Sequence, residues 1–158
     1  MFLVDSHCHL DGLNYETLHQ GVSDVLAKAA ARDVKFMLAV ATTLPGYKAM
    51  VELIGERERV AYSCGVHPLN QEEEYDFAEL RELAAHPRVV AMGETGLDYF
   101  YQKETMVRQQ ASFREHIRVG RDLNKPVIVH TRDAREDTLA ILQLSLIHIS
   151  EPTRPRLI

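Results

Sequence analysis

Five short apolar runs recur along the chain, and segments with helical spacing separate them. The runs are apolar and rich in β-branched residues, and their apolar residues are continuous instead of alternating, which predicts strands buried on both faces of a sheet. They lie at residues 2–4, 34–41, 60–66, 89–92 and 126–129. Strands that alternate with helices at intervals of roughly thirty residues are typical of βα units in a parallel sheet. The sequence therefore predicts the α/β class.

Helix signals occupy the segments between these runs. Apolar residues at positions i, i+3, i+4 and i+7 form one helical face, namely Val22, Val25, Leu26 and Ala29. Asp76 followed by Glu79 is typical of a capped helix start. Residues 104–123 can form a long helix that ends before Pro126, and residues 135–143 begin another.

The composition is that of an ordinary globular protein and excludes a fibrous or disordered chain. Of 158 residues, 46% are hydrophobic and 26% are charged, which allows a real core. The formal net charge of -5 gives no global attraction to nucleic acid, so a polyanionic substrate would need local positive charge, including bound metal. Two cysteines, no signal peptide and no membrane-spanning run predict a cytoplasmic protein without membrane contact.

Metal-binding or charged side chains follow four of the five predicted strands. They are His7 and His9 after the first strand, His67 after the third, Glu94 and Asp98 after the fourth, and His130 and Arg132 after the fifth. In parallel α/β folds the carboxyl ends of the strands meet at one edge, where ligands and catalytic residues gather. The sequence therefore predicts one functional site at this edge.

His7 and His9 form the strongest metal-binding pattern in the chain. On a strand, residues two apart point to the same side, so both imidazoles can converge on one cation such as Zn²⁺, Mn²⁺ or Fe²⁺. Cys8 lies between them, points the opposite way and is expected to pack, not to bind metal. The alternative is a pair of partly exposed histidines in a turn.

Glu94 is predicted to be a carboxylate that bridges two metal ions about 4 Å apart, with His130 binding the second ion. The alternative for Glu94 is a partnered acid at the rim of the sheet. Arg132 lies two residues after His130 on the same side and can clamp a phosphate oxygen. The alternative role of Arg132 is a salt bridge with Asp133 or Asp137.

Several further residues have open interpretations. His67 and Asp98 can orient a ligand, contact the substrate or assist proton transfer, and a structural role is equally open. The aromatic residues 99–101 can stack on nucleobases or pack against the next helix. Three histidines in helical segments are expected at the surface or at helix ends, without a functional role: His19, His86 and His116.

The chain has no glycine-rich phosphate loop and no G-x-S-x-G elbow, which leaves metal-assisted hydrolysis as the favoured chemistry. Four segments then resemble the TatD family of metal-dependent deoxyribonucleases, in particular its bacterial branch of uncharacterised metal-dependent hydrolases. These segments are residues 3–11, 65–68, 93–99 and 126–134. The resemblance extends from the first residue to about residue 143.

The resemblance implies a TIM barrel of the amidohydrolase type that holds two divalent ions, either Mg²⁺, Mn²⁺ or Zn²⁺. It implies His7, His9, Glu94 and His130 as metal ligands, with Glu94 shared between the ions and catalytic. It also implies hydrolysis of DNA or another phosphodiester by a two-metal mechanism with metal-activated water. No oligomeric state follows from the sequence.

The chain departs from the family in its length. Only about five of the eight βα units are present, and a further histidine ligand and a late E-T-D-x-P motif are missing. We therefore expect residues 1–143 to form a partial barrel with little or no activity, followed by a divergent, non-native tail at residues 144–158. Two alternatives are another amidohydrolase-type enzyme, acting on an amide, lactone or phosphotriester, and a non-catalytic fragment that binds metal or a partner.

Overall fold

The computed structural model describes residues 1–72 and 74–147, which form five βα units in succession. The strands are Leu3–Cys8 (β1), Val34–Ala39 (β2), Val60–Cys64 (β3), Val89–Asp98 (β4) and Val127–Arg132 (β5). The helices are Val22–Ala30 (α1), Leu44–Ile54 (α2), Phe77–Ala84 (α3), Met106–Asp122 (α4) and Arg135–Ile147 (α5). All neighbouring strands are parallel and follow the order β1-β2-β3-β4-β5, which confirms the predicted α/β half-barrel.

The strand boundaries differ from those predicted. β1, β4 and β5 continue beyond their apolar runs to Cys8, Asp98 and Arg132, whereas β2 and β3 end two residues early, at Ala39 and Cys64. Backbone pairing continues through polar residues here because their side chains reach the open carboxyl edge of the sheet. Several candidate metal ligands therefore lie within strands and not in the loops after them.

Burial is complete only in the middle of the sheet. Every residue of β3 is buried, whereas Leu3 and Val4 of β1 are 52% and 51% exposed and the residues of β5 are at most half-buried. The prediction that all five strands are buried on both faces is thus wrong for β1 and β5. These two strands form the edges of the sheet, so each has a neighbouring strand on one side only.

The predicted helices are confirmed, with one addition. α1 and α3 lie where the spacing and the Asp76 cap place them, and the Asp76 carboxylate accepts a hydrogen bond from the Ala78 amide. α2 was not located from the sequence, although Thr43 caps its start, with its hydroxyl oxygen accepting from the Gly46 amide, and Pro45 lies in its first turn. None of the helices in the described ranges is long and apolar enough to span a membrane.

The helix α5 extends to Ile147, four residues beyond its predicted end. The proposed tail therefore begins within a helix in this structure, and the rest of it, residues 148–158, lies outside the described residues. The origin of this tail stays a prediction.

Glycines allow the last three strands to approach closely at the carboxyl edge. Gly96 has a φ of +134°, and a Cβ there would collide with the carbonyl oxygen of His130 on β5. A Cβ on Gly65 would lie 2.5 Å from the Cα of Gly93. Larger residues at Gly65 or Gly96 would push the strands apart, so these glycines fix the spacing of the side chains described next.

Candidate metal centre

The carboxylate of Glu94 is the point on which the histidines of the carboxyl edge converge. One carboxylate oxygen lies 3.2 Å from Nε2 of His7, and the other lies 3.4 Å from Nδ1 of His130 and 3.8 Å from Nε2 of His67. The Glu94 side chain is only 13% exposed. The two oxygens therefore face different histidines on opposite sides of the carboxylate.

The backbone around Glu94 is held by the ends of two neighbouring strands. Its amide donates to the carbonyl oxygen of Ala41, just after β2, at 2.9 Å. The buried Ser63 hydroxyl of β3 donates to the carbonyl oxygen of Gly93 at 2.6 Å and accepts from the Ala41 amide at 3.3 Å. These bonds link β2, β3 and β4 directly below the carboxylate and so fix its position.

His7, His9 and Glu94 offer donor atoms that all lie within 4.8 Å of one another. The Nδ1 atom of His9 lies 3.0 Å from the carbonyl oxygen of Val40. A carbonyl oxygen can only accept, so Nδ1 carries the proton and Nε2 keeps its lone pair for a cation. The imidazole nitrogens and the carboxylate oxygen of this group fit a divalent ion such as Zn²⁺ or Mn²⁺.

Cys8 takes no part in this group. Its thiol donates to the carbonyl oxygen of Leu38 at 3.3 Å and packs against the main core. Burial, together with the nearby Asp5 and Asp11 carboxylates, raises the pKa of the Cys8 thiol to about 12. The thiolate that binds metals is therefore disfavoured, in agreement with the packing role predicted from strand geometry.

His67, Glu94 and His130 form a second group with donor atoms within 4.8 Å. The Nδ1 atom of His67, however, accepts a hydrogen bond from the Leu69 amide at 3.1 Å, which places the proton of the neutral ring on Nε2. Burial lowers the pKa of His67, although Glu94 acts in the opposite direction, so the neutral ring is favoured. This tautomer presents an N–H to the site and favours hydrogen-bond donation or orientation of a ligand over metal binding.

Asp98 is completely buried and contacts His130, with its Oδ2 atom 3.0 Å from Nε2 of that ring. Burial raises the pKa of Asp98, but the Tyr101 amide and His130 outweigh it, so the net shift of the pKa is downward. The anionic carboxylate thereby turns Nδ1 of His130 toward Glu94. A carboxylate that orients a ligating histidine is common beside metal ions, and the burial favours this role for Asp98 over substrate contact.

Arg132 is exposed at the end of β5, with its guanidinium carbon 4.4 Å from the ring centre of Phe100 and 4.6 Å from that of Tyr101. Asp137, one alternative partner predicted from the sequence, instead accepts from the Tyr99 hydroxyl at 2.7 Å. Stacking occupies the face of the guanidinium and leaves its N–H edge available for a phosphate oxygen.

His116 was expected near the surface, and this prediction is wrong. The side chain is completely buried in α4, where Nδ1 donates to the Ser112 carbonyl oxygen at 2.8 Å and Nε2 accepts from the Val66 amide at 3.0 Å. Burial lowers the pKa of His116 to about 4. Its spacing from Gln109, Ser112 and Phe113 marks the buried face of α4 and could have revealed this position.

Comparisons with known proteins identify the family of this chain. The family described as TatD related DNase matches residues 4–147. The chain belongs to this family. It is 73% identical over 143 residues to the "Uncharacterized metal-dependent hydrolase YcfH" of Escherichia coli K12, covering 90% of this chain and 54% of that protein. It is also 34% identical over 122 residues to the "3'-5' ssDNA/RNA exonuclease TatD" of Shigella flexneri, covering 76% of this chain and 47% of that protein.

Solved structures confirm the fold. The crystal structure of the TatD homologue YJJV from Escherichia coli superposes with a TM-score of 0.79 at 26% identity, covering 90% of this chain and 56% of that chain. An uncharacterised amidohydrolase from Saccharomyces cerevisiae gives a TM-score of 0.72 at 22% identity, covering 90% and 51% of the two chains. The chain thus spans about half the length of the relatives it matches, and the described residues form five βα units of the TIM-barrel fold.

Proposed function

We propose that this chain carries part of the metal centre of a divalent-metal-dependent hydrolase that cleaves phosphodiester bonds, with DNA as the favoured substrate. The observation that carries the proposal is Glu94, whose two oxygens face His7 on one side and His130 on the other. This arrangement suits a carboxylate shared by two ions, one held with His7 and His9 and the other with His130. Mg²⁺, Mn²⁺ and Zn²⁺ are the candidate ions.

Divalent ions at such a centre lower the pKa of water and neutralise charge that develops on a phosphate. The chain's own residues supply orientation. Asp98 fixes the ring of His130, and Val40 fixes that of His9. His67 presents its Nε2–H toward the space beside Glu94, where it can hydrogen-bond a phosphate oxygen or the leaving group.

Local charge supports a polyanionic substrate despite the formal net charge of -5. Arg132 is exposed, and its N–H edge is available two residues beyond His130 on the same strand. A guanidinium can bind two oxygens of one phosphate, so Arg132 can hold a phosphate next to the metal centre. The Shigella relative that bears the name of a single-stranded DNA and RNA exonuclease supports the same substrate class.

Two other functions compete with this proposal. Another amidohydrolase-type enzyme would act on an amide, lactone or phosphotriester, and such sites often use a carboxylated lysine where β4 here provides Glu94. A non-catalytic fragment would bind metal without hydrolysis. The carboxylate of Glu94 favours the phosphodiesterase over another amidohydrolase-type enzyme. Hydrolysis measured beside metal binding separates the phosphodiesterase from the non-catalytic fragment.

The test is hydrolysis of an end-labelled single-stranded oligonucleotide by the purified chain with Mn²⁺ or with EDTA. We expect slow hydrolysis that needs Mn²⁺, and an increase in KM of about tenfold or more in Arg132→Gln, because one charged hydrogen bond to phosphate is lost. Gln keeps most of the length of the side chain and removes its charge. Exposed Arg114→Gln on α4 is the matched control.

The outcomes separate the three functions. Turnover of a lactone or an amide that exceeds turnover of the oligonucleotide would contradict the phosphodiesterase in favour of another amidohydrolase-type enzyme. Metal binding without hydrolysis of either substrate would contradict both enzymes and support the non-catalytic fragment.

A further inference from the structure

Phe100 and Tyr101 are exposed aromatic side chains on a turn with extensive hydrogen bonding. The two residues are 56% and 58% exposed, and their rings meet edge to face with centres 4.6 Å apart. Both residues thus leave more than half of their surface uncovered by the fold. An exposed aromatic pair of this kind marks a contact surface.

The turn is joined to the candidate metal centre by a single carboxylate. Oδ1 of Asp98 accepts from the Phe100 amide at 3.1 Å and from the Tyr101 amide at 2.9 Å, while Oδ2 lies 3.0 Å from Nε2 of His130. The buried Gln109 holds both backbone groups of Asp98, accepting from its amide at 2.8 Å and donating to its carbonyl oxygen at 3.1 Å. The position of the two rings is thereby fixed relative to His130.

Arg132 completes this surface. Its guanidinium lies against both rings, at 4.4 Å from the centre of Phe100 and 4.6 Å from that of Tyr101. A cation held by two aromatic faces loses little further freedom when its N–H edge binds an anion. An anion-binding edge and exposed aromatic surface thus lie side by side, which matches a nucleotide, with its phosphate and its flat base.

We infer that Phe100, Tyr101 and Arg132 form a nucleotide-binding subsite in which a base of a single-stranded nucleic acid stacks on the aromatic surface while Arg132 binds its phosphate. The identity of the ligand rests on the proposed phosphodiesterase function. The subsite favours a single strand, because the bases of a duplex are already stacked on their neighbours. It predicts that recognition depends on the presence of a base and little on its identity.

The test uses a short single strand with a terminal 2-aminopurine, whose fluorescence falls when the base stacks, and with phosphorothioate linkages that resist hydrolysis. With Mg²⁺ present, the chain is expected to quench the fluorescence. The double variant Phe100→Leu with Tyr101→Leu keeps apolar side chains but removes both rings, and its Kd is expected to rise roughly tenfold to a hundredfold. Tyr101→Phe keeps the ring and should bind like the unchanged chain.

The controls separate this subsite from other effects of substitution. Phe77→Leu removes another exposed aromatic ring, at the start of α3, and should leave the Kd unchanged. Used as an unlabelled competitor, a strand with an abasic terminal nucleotide should displace the fluorescent strand from the unchanged chain less well than a competitor that keeps its terminal base. The double variant should bind the two competitors equally well. Thermal unfolding of the double variant checks that the fold is retained, and the Tyr101→Leu single variant provides the same comparison with a smaller change.

The subsite and the proposed function can fail separately. Quenching that depends on both rings, in a chain that hydrolyses no phosphodiester, supports the subsite and contradicts the nuclease. Hydrolysis of oligonucleotides without quenching, or with equal Kd values for the double variant and the unchanged chain, overturns the subsite and leaves the nuclease standing.

Discussion

Replacement of Glu94 by glutamine is expected to weaken the binding of Mn²⁺ by at least about a hundredfold, since loss of a group that only orients a ligand already costs up to that much. Among the described residues, the carboxylate of Glu94 is the group that lies close to both His7 and His130, at 3.2 Å and 3.4 Å. Glutamine keeps the size of the side chain but removes the negative charge and one oxygen donor. Both ions should therefore be affected together. Isothermal titration of the metal-free chain with Mn²⁺ measures the effect.

The matched control for this variant is Glu52→Gln, which removes an exposed carboxylate from α2. Its titration should be the same as that of the unchanged chain. If Glu94→Gln and Glu52→Gln bind Mn²⁺ equally well, Glu94 is a partnered acid at the rim of the sheet and not a metal ligand.

Replacement of His116 by glutamine is expected to remove a large part of the loss of stability in mild acid. The ordinary pKa of histidine is about 6.5, whereas burial lowers that of His116 to about 4 in the folded chain. Below pH 6.5 the unfolded chain therefore binds a proton that the folded chain cannot accept until about pH 4. The free energy of unfolding should fall over this range by about 3 kcal/mol, of which about 2 kcal/mol is lost by pH 5.

Glutamine at this position keeps an oxygen that can accept from the Val66 amide, and it does not titrate. Urea unfolding at pH 7 and pH 5 in the presence of EDTA measures the difference, and exposed His86→Gln is the control. A variant His116→Gln that loses as much stability between pH 7 and pH 5 as the unchanged chain would show that His116 does not remain neutral in the fold.

The sequence predicts the half-barrel and most of the candidate metal centre because both depend on strands. The alternation of apolar runs and helical segments gives the order of the βα units, and the polar residues that follow each run mark the carboxyl edge. Because side chains on a strand point alternately to its two faces, His7 and His9 are predicted to lie on the same side of the first strand. Glu94 and His130 can be assigned to the same candidate metal centre because the neighbouring parallel strands β4 and β5 end at the same edge of the sheet.

The remaining features depend on contacts between distant segments. The tautomer of His67 is set by the Leu69 amide in a short turn, and the role of Asp98 by its contact with His130, which no spacing rule predicts. A single histidine in a helical segment is typical of a surface position. The burial of His116 follows only from the other residues of the buried face of α4. Arg132 has aromatic partners that become neighbours only when β4 and β5 pair.

The proposed metal centre is tested most directly by the number of Mn²⁺ ions that the unchanged chain binds and by their relative affinities. Equilibrium dialysis with metal analysis measures both quantities. His7, His9 and Glu94 offer three ligands, whereas His130 adds only one to the shared carboxylate. We therefore predict two ions per chain at saturation, with the first bound more tightly and lost in His9→Asn, and the second lost in His130→Asn. A chain that binds no Mn²⁺, or whose tighter ion survives His9→Asn, would contradict the metal centre proposed here.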